Sequence, residues 1–287
     1  MSIQREEDHS APTPGSNLIT FDAKEFPWWL AGMVLIILAM LTLVATNDNY
    51  GEAFRKILPW PWRWTQGLAL TLLLTAGSFI VAIVLGLFIG LGRLSRYEGH
   101  NTFRRLLSVA TRNLSTLYIE FIRGVPMLVF IFTIALVLAP DFADLINVNS
   151  RSISQAWRGA AALSLFYAAF IAEVFRAGIQ SVHSGQIEAG RALGLSGFQI
   201  LRRITLPQAF RNMFPALAND LIALMKDTSL LSVLAVRELT QMARLYSGSS
   251  FRFRESFFIL VVMYVILTLT LSLVLRRIEG RMAIPGR

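Results

Sequence analysis

The stretch EAGRALGLSGFQILRRITLP, residues 188–207, is polar and basic and lies between two long apolar runs. It holds Glu188-Ala189-Gly190, then Gly194 after three residues, then Ile204, Leu206 and Pro207 after nine more. Residues 188–195 suit one short helix, Gly194 and Gly197 permit a turn, and residues 198–204 suit a second helix that Pro207 ends or kinks. Apolar Leu193, Leu195, Phe198, Ile200, Leu201 and Ile204 would give this pair a buried face. An ordinary amphipathic loop on a membrane surface accounts for the arginines and the apolar side chains. It does not account for the ordered spacing from Glu188 to Pro207.

Outward from that loop, the chain is apolar. Of 287 residues, 54% are hydrophobic and 16% charged, against about a quarter charged in a soluble domain. Six runs approach the ~20 residues a helix needs to cross a bilayer: residues 28–45, 66–91, 117–139, 157–179, 213–236 and 257–275. The fold class expected is an all-α polytopic membrane protein. The net charge of +9 is carried almost wholly by arginine, since Lys24, Lys56 and Lys226 are the only lysines. These arginines flank apolar runs, so the positive-inside rule explains them and nucleic acid does not. Arg93, Arg96, Arg104, Arg105 and Arg112 follow the second run, Arg191, Arg202, Arg203 and Arg211 the fourth, and Arg276, Arg277, Arg281 and Arg287 the last. One side is therefore cytoplasmic, with both termini on it. Arg55, Lys56 and Arg63 fall in one outer loop and Arg151 and Arg158 in another, while Arg237, Arg244, Arg252 and Arg254 in the last outer loop dissent. There is no cysteine, which excludes disulfides and thiolate metal sites.

Residues 1–26 read as a flexible cytoplasmic tail without signal-peptide character. Residues 27–46 read as an added N-terminal membrane helix, 47–65 as a periplasmic or interfacial loop rich in Trp and Pro, and 66–281 as the main transmembrane domain containing the loop at 184–208.

Charges within spans are costly and face a cavity or a partner. Glu120 and Arg123 are three apart, as are Glu173 and Arg176, so each pair shares a helix face and can neutralise itself locally. Lys226 and Asp227, with Asn219 and Asp220 two turns earlier, sit inside an otherwise apolar run. Together they offer both signs to a zwitterion, and Glu120, Arg123, Glu173, Arg176, Asn219, Lys226 and Asp227 form the candidate path. Positions at membrane boundaries would instead make these pairs anchors. Small residues in the second span, Gly77, Gly86, Gly90, Gly92, Ala76 and Ala82, suit close helix packing. His9, His100 and His183 are isolated and suggest no metal site, and no P-loop motif is present.

The loop resembles the E-A-A, three residues, G, nine residues, I-x-L-P pattern of bacterial ATP-binding-cassette (ABC) importer permeases. Glu188, Ala189, Gly194, Ile204, Leu206 and Pro207 match it, while Gly190 stands where that family usually has Ala. TLLLT at 71–75 with Gly86 and GLGR at 90–93, YIEFIRGVP at 118–126, AEVFRAG at 172–178 followed by Ser181, Val182, Gly185 and Gln186, and LMKDTSL at 224–230 are similar to motifs of its polar amino acid branch. Val125 stands where that branch has Thr. The resemblance spans about residues 65–281 and implies a five-helix core preceded by one extra helix. It further implies a multi-pass subunit of the bacterial cytoplasmic (inner) membrane with no catalytic residues, metal or cofactor of its own. ATP and Mg would be held by two copies of a cytoplasmic P-loop ATPase into whose groove the loop inserts. A second permease, identical or homologous, and a periplasmic or extracellular solute-binding protein complete the system.

An ion-coupled secondary transporter is the rival reading, for which carboxylates such as Glu173 and Asp227 would serve. It leaves the loop unexplained, and no inverted repeat is evident. An intramembrane hydrolase lacks G-x-S-x-G and H-E-x-x-H. If Lys226 lines the path, Lys226→Ala lowers amino acid uptake without loss of ATPase binding. Unchanged uptake kinetics would remove Lys226 from it.

Overall fold

The computed structural model describes residues 28–57, 61–95, 97 and 99–282. The tail at 1–26 and the arginines Arg96 and Arg287 lie outside them. The chain divides into two units, Met1–Leu43 and Val44–Arg287. Helix α1 (Trp28–Thr46) is apolar throughout its middle, and its exposed Leu35, Ile36 and Leu38 suit a lipid surrounding.

In the second unit the segment expected as a loop contains a short amphipathic helix, α2 (Asp48–Ile57). Proline favours a first helical position, and α3 starts at Pro61 and runs to Leu94. After α4 (Thr102–Gly124), α5 (Met127–Phe132), a π-helical turn at Thr133–Leu138 and α6 (Ala139–Leu145) form one apolar rod. The run at 117–139 is therefore not a single helix. Val125 precedes a proline, is held extended (φ −103°, ψ 132°), and breaks the chain between α4 and α5.

Helix α7 (Gln155–Gln180) is the axis of the bundle. Ser78 of α3 donates to the Ala160 carbonyl at 3.2 Å. A Cβ on Gly86 would lie 3.0 Å from the Ala168 carbonyl oxygen, and one on Gly90 2.8 Å from that of Ala172. Contacts that advance together on both helices make α3 and α7 parallel. Gly86 and Gly90 thus pack as expected from the small-residue stripe, and Gly92 packs against Ser115 of α4. Gly77 does not, because a Cβ there meets nothing within 4 Å.

The loop helices α8 (Ser184–Ala192) and α9 (Gly197–Ile200) lead into α10 (Leu206–Asp227), which returns antiparallel to α7. Asn212 bonds Ser181 at 2.8 Å near the loop, and Tyr167 bonds Asp227 at 2.6 Å far from it. The run at 213–236 is also not one helix. It passes from α10 into a 3-10 segment, Thr228–Leu234, and ends at Ala235 in the left-handed region (φ 57°). Then α11 (Leu239–Ser250) and the long α12 (Phe253–Met282) close the bundle. Glu238 is fully buried and caps α11 by accepting from the Thr240 and Gln241 amides at 2.8 Å, with the Tyr264 hydroxyl donating at 3.2 Å. Burial pushes its carboxyl up to about 7, against the downward pull of those hydrogen bonds.

Among the described residues, four helices are long and apolar enough to cross a membrane: Trp64–Leu94, Met127–Leu145, Gln155–Gln180 and Phe253–Met282. Arg158, counted above as an outer-loop charge, lies inside α7 and is buried. It donates to the Ile153 carbonyl at 3.1 Å, to Ala135 at 3.2 Å and to Ser150. The π-helical turn displaces the usual ladder, and Arg158 satisfies the backbone beside it.

The glycine geometry predicts that Gly90→Val, driven into a backbone carbonyl, destabilises by about 1–3 kcal/mol. Gly77→Ala should be neutral or stabilising by up to about 1 kcal/mol. Thermal unfolding of the detergent-solubilised chain measures both.

Candidate functional site

The loop's conformation follows from its residues. His183 caps α8, its ring nitrogen accepting from the Gly185 amide at 3.4 Å. At the other end the Leu195 amide bonds the Gly190 carbonyl at 3.1 Å and the Gly194 amide bonds Arg191 at 2.9 Å. This pair of bonds needs a left-handed residue between helix and turn, and Gly194 supplies it (φ 73°). Two residues later Ser196 and Gln199 cap each other's backbones at 3.3 and 2.8 Å. The turn is thereby fixed on both sides.

Pro207 does not end the second helix. Residues Leu201–Thr205 widen into a π turn, with the Leu206 amide reaching the Leu201 carbonyl. Pro207 falls in the first turn of α10, where a missing N–H is tolerated. The second loop helix is thus continuous with α10. The expected buried face is only partly formed. Ile200 is buried, and Leu195 and Ile204 are half-buried. Leu193 (81% exposed), Phe198 (70%) and Leu201 point outward, because α8 and α9 meet along a narrow line. That line runs through Gly190, where a Cβ would lie 2.9 Å from Ile204 Cδ1 and 3.2 Å from Ile200 Cγ1. Glu188 and Ala189 are exposed, and so are Leu206 and Pro207. The result is a rigid tip with apolar side chains and one carboxylate on its surface.

The seven candidate path residues do not form one site. Glu173 is held between two guanidiniums. Arg176 binds it at 2.8 and 3.1 Å and also bonds Gln180 at 2.6 Å, and Arg93 of α3 pairs with its other oxygen. Glu120 of α4 lies 3.8 Å from Arg93. The local Glu120–Arg123 pair does not form, since Glu120 turns toward α3 and Arg123 is exposed. Arg93, read as a loop charge, instead ties α3 to α4 and α7 at the loop end of the bundle.

The second group lies about 9 Å further along α7, at six residues of 1.5 Å rise. There the Tyr167 hydroxyl bonds Asp227 at 2.6 Å. Asp220, two turns before Asp227, has one carboxylate oxygen buried without a partner. Lys226 and Asn219 are exposed. Tyr167 was missed because a single phenol in an apolar run carries no pattern; only the antiparallel pairing of α7 with α10 sets it against Asp227. The arrangement can bind a polar solute but carries no nucleophile–base pair.

Comparison with known proteins places these features. The family model described as "Binding-protein-dependent transport system inner membrane component" matches residues 82–284. The chain is similar to the probable amino-acid permease protein YxeN of Bacillus subtilis, 34% identical over 77% of this chain and 92% of that protein. It is 35% identical to the glutamine transport system permease protein GlnP of Escherichia coli, over 76% and 92%. The crystal structure of an amino acid ABC transporter with histidines superposes with a TM-score of 0.67 at 31% identity, covering 79% of this chain and 98% of that one.

Tyr167→Phe should cost about 1–3 kcal/mol, because it strands a half-buried carboxylate. Adding Asp227→Asn should cost less than the sum of the two single changes. A double-mutant cycle on thermal unfolding measures the coupling.

Proposed function

Because the chain belongs to the family of binding-protein-dependent transport system inner membrane components, we propose that it is the membrane permease subunit of an ABC importer for polar amino acids. It works in the bacterial cytoplasmic membrane with two copies of a P-loop ATPase, a second permease and a solute-binding protein. ATP and Mg belong to the ATPase, and this subunit performs no covalent chemistry.

The observation that carries the reading is the tip at residues 188–207. Its turn is capped on both sides, it exposes Leu193 and Phe198, and it continues without a break into α10. Glu188 and the turn held by Gly194 dock in the ATPase, while Ala189, Gly190, Ile204, Leu206 and Pro207 shape the tip and its link to α10. Closure of the ATPases moves the tips, and the rigid helices α7 and α10 carry that motion to the polar groups between them.

The cluster Arg93–Glu120–Glu173–Arg176 holds three helices together at the cytoplasmic end. Its rearrangement opens and closes that end in alternating access. The Asp220, Asp227 and Tyr167 group, with Lys226 and Asn219 nearby, meets the solute's ammonium and carboxylate.

Glu188→Lys tests the reading. The variant should reach the membrane at the wild-type level but lose the co-purifying ATPase and at least about tenfold in uptake, the effect of removing an interface hot spot. Wild-type uptake in that variant would refute the docking role.

A further inference from the structure

Helix α4 has the length of a span, 23 residues, yet it is not among the four helices apolar enough to cross a membrane. Its large apolar side chains also turn away from the bundle. Phe103, Leu106, Leu107, Leu114, Leu117 and Phe121 recur at helical spacing along one stripe and are 54–74% exposed. A different face, with Ser108, Ile119 and Ile122, is the one buried in the bundle. Arg104, Arg105 and Arg112 are exposed and lie off the apolar stripe. Among the described residues none of the three has an ion-pair partner, and no Asp or Glu occurs between Thr102 and Ile119.

The path of α4 differs from that of a span. Tyr118 meets α7 at the Leu165 carbonyl, and Phe130 stacks on Phe166 with ring centres 5.6 Å apart. A straight helix would advance about 18 Å over those twelve residues, more than a tyrosine side chain spans. The chain therefore gains almost nothing along α7 between them. Only after the break at Val125 does it run antiparallel to α7, from Phe130 at Phe166 to Ala135 at Arg158. Helix α4 crosses the bundle obliquely at the end where α3 and α7 finish, since Gly92 of α3 packs against its Ser115. Its start is ordered there, because Asn101 accepts from the Arg104 amide at 3.1 Å.

We propose that the first turns of α4 lie along the cytoplasmic surface of the bilayer as an interfacial anchor. The stripe from Phe103 to Leu117 enters the acyl boundary, and Arg104, Arg105 and Arg112 bind the phosphates of anionic lipids. Three faces then meet three surroundings: apolar to lipid, Ser108 and Ile119 to the bundle, arginine to headgroups and water. Charge selects the occupant. Arginines without an acid beside an apolar stripe match an anionic lipid surface, whereas a protein partner would have to supply every countercharge. The inference rests on the importer reading for the side alone, since α4 starts at the bundle end that carries the tip.

The chain has no cysteine, so single spin labels can be placed at Leu107→Cys, Leu117→Cys and Arg105→Cys before assembly with the ATPase in nanodiscs. Labels at 107 and 117 should be more accessible to oxygen than to a water-soluble nickel chelate, at similar depths, and the label at 105 should show the reverse preference. A helix crossing the bilayer would separate 107 and 117 by about 15 Å in depth, and that result overturns the proposal. So does a label at 107 shielded from both reagents, which assigns the stripe to the second permease or the ATPase. Thermal unfolding in discs of phosphatidylcholine, with and without phosphatidylglycerol, tests the arginines. The combined variant Arg104→Gln, Arg105→Gln and Arg112→Gln should lose at least about half of the rise in unfolding temperature that phosphatidylglycerol gives the wild type. Lysine at the same three positions should keep it. An equal rise in the glutamine variant, or no rise in the wild type, refutes the lipid contact. Neither readout depends on transport, so these failures leave the importer reading standing, whereas a wild-type chain that assembles with no ATPase refutes that reading.

Discussion

The close approach of α3 to α7 organises the bundle. In lipid, apolar side chains gain little by meeting one another, so helices associate through tight packing and polar contacts. Gly86 and Gly90 bring α3 against the carbonyls of Ala168 and Ala172, a distance any side chain would prevent. The parallel register that results sets Arg93 beside Glu173 at one end and Ser78 beside Ala160 further along. Helix α4 then packs through Tyr118, whose hydroxyl reaches the Leu165 carbonyl at 2.5 Å. Helix α10 packs on the face of α7 that remains.

Within that frame, several breaks in the helices are satisfied locally. Backbone polar groups left open inside a membrane protein are tolerated only when buried against protein or facing a cavity. The π turn at 133–138 is served by Arg158, the turn after α8 by Gly194 and Ser196, and the start of α11 by Glu238. The π turn at 201–205 lets Pro207 sit within a continuing helix, so the tip runs into α10 without a break.

Much of the fold was legible in the sequence. Apolar runs located the long helices, and the spacing from Glu188 to Pro207 located the tip and its turn, because capping chemistry and glycine conformations act over a few residues. The small-residue stripe marked α3 as a closely packed helix, with Gly77 the exception, but did not show that its partner at Gly86 and Gly90 is α7. The breaks after Gly124 and Asp227 were not legible. Polar residues interrupt longer apolar runs at both points, Arg123 to Pro126 and Lys226 to Ser229, and such an interruption suits one span or two pieces until the neighbouring helices decide.

Charge partners divide along the same line. The Glu173–Arg176 pair could be read from three-residue spacing, whereas the same spacing at Glu120 and Arg123 makes no pair, because Glu120 turns toward Arg93 of α3. Arg93 with Glu173 and Glu120, Tyr167 with Asp227, and Arg158 with the carbonyl of Ala135 could not. The sequence by itself determined that this chain is a helical membrane subunit with a helix-turn-helix tip at residues 188–207, because periodicity, turn chemistry and motif spacing are local properties. Which charges meet and which arginines are buried were decided only by tertiary packing, because side chains dozens of residues apart become neighbours only when their helices pack together.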